Sequence, residues 1–557
     1  MACPVLPLPG SAMRLSFAML VCALVLAACP QDEPKSKPKP SGLNPLLVIG
    51  PLGGSADPDG GTAVGLMVSG QVTFDRLPVT AGGLGSTPTT APAVNVLIEA
   101  VRHNDMFDVV ATTTTDASGN YTMNLLLTHD FYMRARTITG TGTGIDRVYH
   151  NQTSTPVLHA AVGPVLNRAT GNQTANLHAD TTLGMNRGGA FSILDSVRRL
   201  RAAAAGSYPN LGPLDVYWSV GGNLVTDTDP DGPNSRPTIR LAGGSSADPA
   251  NTDHDEFDET VIAHEWASFL QLTQSRDNNF GGPHAGEELV FSASYSEGVV
   301  TAIGCALLGI QTYRDTTGYP GGATSVQFEF DCESGVLPGA GMGYGSEFRV
   351  TRVVWDLIDG GLGGPADFDA DPVAIAMSDF FASFDAMAAR SAPYEVAWLA
   401  GLLQQLIDDA FLSQVHADTL MQSQGAQFPP AGGADPFPSA LVIGAGTASG
   451  SLDAWSGVTP NPILGPQANA VFRLEVATAQ TVTVTLINTT VGYVGGSHRT
   501  DLTIWDLSRN AVAAETGTGV TKVASMGLAA GTYIVRVQHL PQTQAQSAPA
   551  TFTIEAQ

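Results

Sequence analysis

The chain has little charge, and least of the positive sign: charged residues make up 14% of its 557 positions, with 26 Lys and Arg against 51 Asp and Glu. The formal net charge is −25 and no Lys/Arg cluster occurs, which excludes the phosphate-neutralising surface that a nucleic-acid partner requires. Beyond the N-terminus no stretch approaches about 20 continuous apolar residues, so no further segment is expected to span a membrane as a helix. Phosphate loops, nucleophile elbows and Rossmann fingerprints are also missing. Cysteine is scarce, with five residues. What remains is the composition of a folded protein, 43% hydrophobic, with length for roughly three to four domains.

The N-terminus is a targeting segment. Arg14 precedes an apolar run from Leu15 to Leu26, too short to span as a mature helix, which ends in Leu26-Ala27-Ala28-Cys29. This ending resembles the bacterial lipobox, which implies cleavage before Cys29 and a diacylated thiol on it. The expected location is then the bacterial cell envelope, periplasmic or surface-exposed, with the membrane as partner through the lipid. A plain secretory signal is the alternative, and Met13 is an alternative start. Residues 1–28 thus read as signal peptide. Residues 29–61, with PQDEPKSKPKPSG and GGSADPDGG, read as a flexible tether unable to bury a core. Cys3 and Cys22 leave with the signal. Cys305 and Cys332 remain, either as one disulfide in an oxidising compartment or as two buried thiols.

Residues 62–155 contain short alternating runs broken by turn residues: Gly70 to Phe74, Val94 to Val101, Asp108 to Thr115, Tyr121 to Leu127 and Phe131 to Ile138. Such spacing predicts a small antiparallel β-sandwich. Between two of these runs Thr115-Asp116-Ala117-Ser118-Gly119-Asn120-Tyr121 makes a turn, with Gly119 suited to positive φ and Tyr121 returning to the core. The region resembles the transthyretin-like, carboxypeptidase-regulatory domain, whose pattern is T-D-x-x-G-x-Y. Residues 440–557 return to β alternation, in Val471 to Val476, Thr481 to Leu486, Asp501 to Trp505, Tyr533 to Val537 and Thr551 to Ile554. There Ala530-Gly531-Thr532-Tyr533 leads into Val535-Arg536-Val537, which resembles the pre-peptidase C-terminal domain, an extracellular β-sandwich often attached to secreted bacterial proteases.

Between them, residues 159–426 change to helical spacing. Phe191, Ile193, Leu194, Val197 and Leu200 share one helical face, and Arg198, Arg199 and Arg201 lie towards the C-terminal end, where cations suit the helix dipole. Strand-like runs follow at Leu214 to Val220 and Pro237 to Leu241, then helical patterns through Asp258 to Leu270, Ala293 to Leu308, Phe348 to Ile358, Val373 to Met387 and Tyr394 to Phe411. The predicted architecture is multidomain: an N-terminal β-sandwich, a central α+β domain with a mostly helical C-terminal half, and a C-terminal β-sandwich.

The chemistry concentrates in DETVIAHEWASFL, residues 258–270. A zinc-peptidase helix carries H-E-x-x-H, two histidines four apart on one face with the glutamate between them as general base. His264 and Glu265 are in place, and Ser268 stands where the second histidine belongs. The flanks resemble a secreted bacterial branch of gluzincin-type metallopeptidases: Asp255-Glu256-Phe257-Asp258 before the motif, Ser275-Arg276-Asp277 and Gly281-Gly282-Pro283-His284 after it, and Tyr295-Ser296-Glu297-Gly298 beyond. The resemblance implies zinc as cofactor, His264 and Glu297 as ligands, and Glu265 as the base if the site works. It also offers Tyr344, before the SEFRVTRVVWDLID segment, as an oxyanion donor. Ser268 departs from the pattern, because a hydroxyl is a far weaker zinc ligand than an imidazole. His284, or His254 from the acidic loop, is a surrogate ligand in a rescued site.

Two acidic clusters stand apart from the motif. Asp227, Asp229 and Asp231 open like a calcium loop, D-x-D-x-D-G, yet Thr238 at the closing position rules out an EF-hand. Calcium there competes with a solvated acidic loop. Asp253, Asp255, Glu256, Asp258 and Glu259 are expected mainly to cap and charge the motif helix. The functional expectation is a membrane-anchored lipoprotein whose metallopeptidase-like domain has lost zinc chemistry and binds an extracellular or periplasmic protein or peptide, or serves structurally. An active zinc endopeptidase with a surrogate ligand is the first alternative, and a passive envelope or adhesion protein the second.

Overall fold

The structure, a computed structural model, describes residues 62–557 apart from 141–144, 151–155, 183–186, 223–225, 230–236, 246, 249–250, 280–288, 320–323, 335–342, 368–371, 391–395, 430–437, 453–468, 490–497, 509, 517–518 and 542–549. The signal peptide, the tether, Cys29, Asp231 and His284 therefore lie outside the described residues.

Strict alternation builds the N-terminal sheets. Asn120–Leu127 buries every second residue, and Phe131–Thr139 does the same in the opposite phase. The long strand Val64–Arg76 pairs antiparallel with Asn120–Leu127 and Thr89–Pro92, and parallel with Gln173–Thr174 and Leu177–Ala179. The turn before Tyr121 forms as the sequence suggests. Asp116 Oδ1 accepts from the amides of Ser118 and Asn120, both at 2.8 Å, and Gly119 has φ 75°. A Cβ on Gly119 would lie 2.5 Å from the Val72 carbonyl oxygen, so that position tolerates no side chain. Tyr121 is buried and donates to the Ala175 carbonyl at 2.6 Å.

The second sheet runs across the expected boundary at residue 155. It has nine strands, running from Val109–Thr114 through Val96–Arg102, Phe131–Thr139 and Arg147–His150 into Asp215–Tyr217, Thr238–Arg240 and the edge strand Asp227–Asp229. Arg147–His150 pairs parallel with Asp215–Tyr217, so the N-terminal and central regions share one sheet. They share one hydrophobic core too, containing buried residues from Leu66 to Phe428. Alternation is a local signal and does not say which strand a free edge will receive.

Among the described residues there are seven α-helices: α1 (Arg187–Ala204), α2 (Glu259–Gln274), α3 (Phe291–Leu308), α4 (Glu347–Ile358), α5 (Met377–Ala386), α6 (Leu399–Asp408) and α7 (Gln414–Ser423). The first six follow the expected helical runs, whereas α7 and the hairpin of Thr312–Thr317 with Ser325–Asp331 were not anticipated. Helix α3 is apolar enough to cross a membrane by length and composition, yet most of it is buried inside the protein. The C-terminal region has its own core. One of its sheets runs Ser439–Leu441, Asn469–Val476, Gly531–Pro541, His498–Asp506, Ala511–Glu515, and the other Ala448–Leu452, Ala550–Ala556, Gln480–Asn488, Thr521–Leu528. Two packed sheets with inward alternation make a β-sandwich, as predicted.

Cys305 and Cys332 are both buried, and they are free thiols. The disulfide reading is thus replaced by its alternative. The Cys332 thiol is held well above its ordinary pKa by burial and by a hydrogen bond with Cys305, which keeps Cys332 protonated.

Candidate functional site

Helix α2 starts at Asp258, with Glu259 complementing the helix dipole in the first turn. Its apolar face puts Ile262, Ala263, Trp266, Ala267, Phe269 and Leu270 in the core, which turns His264 and Ser268 towards a half-buried surface. Helix α3 packs against it at glycine. A Cβ on Gly304 would lie 2.6 Å from the Ala263 carbonyl oxygen and 3.0 Å from the His264 nitrogen. Only a residue without a side chain lets α3 approach the motif backbone this closely.

That approach brings the two retained ligand-type residues together. His264 Nε2 lies 3.2 Å from Glu297 Oε2. On its other side His264 Nδ1 is 2.8 Å from the Thr301 hydroxyl, which donates its single proton to the Glu297 carbonyl at 2.9 Å. Thr301 must therefore accept from Nδ1–H, and the Nε2 contact with a carboxylate oxygen requires a second proton between them. The remaining Glu297 oxygen, Oε1, accepts from Asn279 Nδ2 at 2.5 Å. A proton and an amide thus engage both Glu297 oxygens.

Ser268 does not join them. Its hydroxyl donates back to the His264 carbonyl at 3.1 Å, the usual i to i−4 bond of a helical serine. Among the described residues no third histidine, cysteine or carboxylate converges with His264 and Glu297 at ligand distance. Among the described residues, two ligand-type side chains and a serine turned to its own helix fall short of the three protein ligands that a zinc site needs, and His284 lies outside the described residues.

Glu265 is buried and accepts from the Thr228 hydroxyl at 2.5 Å. Burial holds its pKa above the ordinary carboxylate range, against the opposing pull of His264. Thr228 belongs to the edge strand, where the D-x-D-x-D-G spacing sets calcium against a solvated acidic loop. The structure corrects this: Asp227 and Asp229 are two apart on a strand, face the same side, and clasp Arg240. Asp227 accepts from Arg240 Nε and Nη2 at 2.8 Å each and Asp229 from Nη1 at 3.0 Å, so a guanidinium already supplies the positive charge.

Tyr344, the expected oxyanion donor, packs its ring on Phe291 and Trp398, and its hydroxyl donates its proton to the Gln427 carbonyl at 3.1 Å. His254 is fully buried with its ring against Tyr319 and Nδ1 3.4 Å from Glu256, which excludes it as a surrogate ligand.

Several residues of the site escaped sequence reading. Tyr313, on the hairpin, sets its ring edge-on to His264 with centroids 6.2 Å apart. A cavity of about 240 Å³ opens there, lined by His264, Tyr313, Asp315, Phe328, Glu347 and Thr351 among others. Asn279 gave no signal beyond its closeness to Ser275-Arg276-Asp277. That segment is the scaffold for Glu297: Ser296 donates within reach of Gln271 Oε1 and Asp277 Oδ1, both at 2.9 Å, and Arg276 donates to the carbonyls of Ala388 and Arg390 at 2.7 and 3.0 Å.

The acidic loop before α2 does little capping. Asp258 makes no side-chain cap bond and instead accepts from the Thr316 amide at 2.6 Å and the Thr316 hydroxyl at 2.9 Å, tying the hairpin to the helix start. Glu259 pairs with Arg76 and Arg199. Asp253, Asp255 and Asp315 converge, and burial raises all three carboxyls; repulsion from neighbouring carboxylates adds to it, from Glu256 at Asp253, from Asp253, Asp315 and Asp258 at Asp255, and from Asp253 at Asp315, which is pushed up to about 8. Asp258 is raised as well, and His254 is the basic ring facing Asp253. The folded chain therefore keeps protons that the unfolded chain has released, so folding binds protons between the two ranges. In chelating buffer the melting temperature is expected to fall as pH rises from about 4 to about 8. A melting temperature that climbs steadily across that interval contradicts the assignment.

No family model and no curated protein matches the chain. Among solved structures it is similar to the pre-peptidase C-terminal domain of a collagenase from Bacillus anthracis, at 17% identity over 21% of this chain and 93% of that one, with a TM-score of 0.16. It is also similar to PliG, a periplasmic inhibitor of g-type lysozyme from Aeromonas hydrophila, at 12% identity over 21% of this chain and 98% of that one, with a TM-score of 0.13. The lectin-binding domain of lectinolysin matches at 14% identity over 20% of this chain and 91% of that one, again with a TM-score of 0.13. Scores this low carry no argument about activity.

Proposed function

We propose that the chain is a lipoprotein anchored to a bacterial envelope membrane through Cys29, whose central domain is a gluzincin-type metallopeptidase relative that has lost zinc-dependent proteolysis. It persists as a protein- or peptide-binding or structural module, between a transthyretin-like sandwich and a pre-peptidase C-terminal-type sandwich. One observation carries the reading: His264 and Glu297 are paired at 3.2 Å, as two zinc ligands would be, while Ser268 gives its hydroxyl to the helix backbone. Among the described residues, Thr301 and Asn279 hydrogen-bond the two side chains, which supports a site that works without metal. Loss of the metal leaves Glu265 with no polarised water to deprotonate, so the general base has no reaction to serve.

A peptide-binding role draws support from the edge strand. Among the described residues Asp227–Asp229 ends the nine-stranded sheet, and Thr228 on it bonds Glu265. An extended peptide can add to such an edge through main-chain hydrogen bonds. The test is metal analysis of the purified chain after zinc exposure and dialysis, beside casein cleavage. Substoichiometric zinc and background cleavage are expected. One zinc per chain with cleavage abolished by His284→Ala would establish the active-enzyme alternative instead. A chain that holds neither zinc nor any envelope peptide would favour the passive reading.

A further inference from the structure

The strongest feature outside the His264 pair is the meeting of Asp253, Asp255 and Asp315. Each offers one carboxylate oxygen, and these oxygens lie within 4.8 Å of one another. Asp253 and Asp255 come from the loop before α2, Asp315 from the hairpin strand that crosses the helix start. Asp255 is 1% exposed, with one oxygen taken by the Thr226 hydroxyl. Its other oxygen, Oδ1, is buried without a hydrogen-bond partner, and so are Asp253 Oδ1 and Asp315 Oδ1. Three orphaned carboxylate oxygens in one buried cluster are costly, because a buried acceptor loses its water without replacement. Among the described residues none of the three is in an ion pair with lysine or arginine, in contrast to Asp227 and Asp229, which share Arg240.

We propose that Asp253, Asp255 and Asp315 form a site for a hard divalent cation of the calcium class. The donor set is all oxygen and all anionic, without imidazole or thiolate, which selects calcium over zinc or copper. A loop and a strand supply the ligands at different angles, which suits the irregular, expandable coordination of calcium better than the strict octahedron of magnesium. Main-chain carbonyls and water complete the shell, as is usual for calcium. The site stands whether or not His264 and Glu297 bind zinc. Its effect is structural: the cation cross-links the loop that enters α2 to the hairpin that carries Tyr313 and Asp315 onto the His264 cavity.

The test uses the full mature chain stripped with chelator. Calorimetric titration with calcium is expected to show one site, and calcium at millimolar concentration to raise the melting temperature near pH 7. Asp315→Asn is expected to weaken that affinity at least about tenfold by removing one anionic ligand. Asp229→Asn, which changes the Arg240 clasp, is expected to leave it unchanged. The wild-type comparison stands alone, independent of how any variant folds: no calcium heat and an identical melting temperature with calcium and chelator overturn the proposal. Binding that survives Asp315→Asn and disappears in Asp229→Asn overturns it as well. A melting temperature that responds to pH but not to calcium shows that the cluster holds protons instead of a cation.

Discussion

Ser268→His is expected to convert a chain without stoichiometric zinc into one that retains one ion per molecule through dialysis. Positions four apart on a helix share a face, so the new imidazole starts beside His264. The rest of the site is already built: Glu297 lies 3.2 Å from His264 Nε2, and Thr301 holds Nδ1, which leaves Nε2 as the metal-facing nitrogen. A third strong donor completes the three-ligand set of a zinc site, and zinc then replaces the proton shared by His264 and Glu297. With free zinc at a thousand times Kd, linkage adds about 4 kcal/mol to the folded state, which a zinc-dependent rise in melting temperature reports. Glu297→Gln in the same background is expected to abolish both signals. Zinc retained by that double variant, or none held by Ser268→His, removes the case that one ligand disabled this site.

Arg201→Ala is expected to cost about 3–5 kcal/mol of stability, because it leaves a buried carboxylate unpaired. Arg201 Nε donates to Asp146 Oδ2 at 2.8 Å and Nη2 reaches Oδ1, so the guanidinium clasps the carboxylate with both prongs. It also donates to the Leu211 carbonyl at 2.8 Å and the Gly212 carbonyl at 2.9 Å, closing the loop that follows α1. Asp146 is 1% exposed, and burial alone holds its pKa above the ordinary range even with the arginine present. Without Arg201 only the backbone bond at Leu214 and the charge of Arg147, the smaller contributions, offset that desolvation. Combining Arg201→Ala with Asp146→Asn is expected to lose less than Arg201→Ala alone, since no charge is then stranded. Urea unfolding measures both. A loss under about 1 kcal/mol for Arg201→Ala would put the pair with ordinary surface ion pairs.

Arg201 also illustrates where sequence reading stops. Its position in the last turn of α1 was legible, and so was its suitability for the helix dipole. Its partner was not, because Asp146 lies on the far side of several elements and no periodic pattern connects them. The strands of both outer regions were readable for the opposite reason: alternation in Asn120–Leu127 or Gln480–Asn488 is a short-range consequence of burying one face. Asp227 and Asp229 show the hazard of a motif without context. Their spacing suits a cation, and an arginine from the neighbouring strand took its place. Asp253 and Asp255 read as helix-capping charge for the same reason, since Asp315 reaches them only through the hairpin.

The sequence alone determined which groups this protein has for chemistry: a histidine and a glutamate on one helix, a glutamate on the next, and a serine where a metal would need nitrogen. Residue type and helical phase are local properties, and four positions along one helix are enough to establish them. The tertiary structure decided what those groups do. Gly304 lets α3 come close enough for Glu297 to meet His264, Thr301 and Asn279 hydrogen-bond the pair, and the hairpin gathers three aspartates at the helix start. Each depends on contacts between residues distant in the chain. Such contacts are set by the packing of whole elements, which no short stretch of sequence encodes.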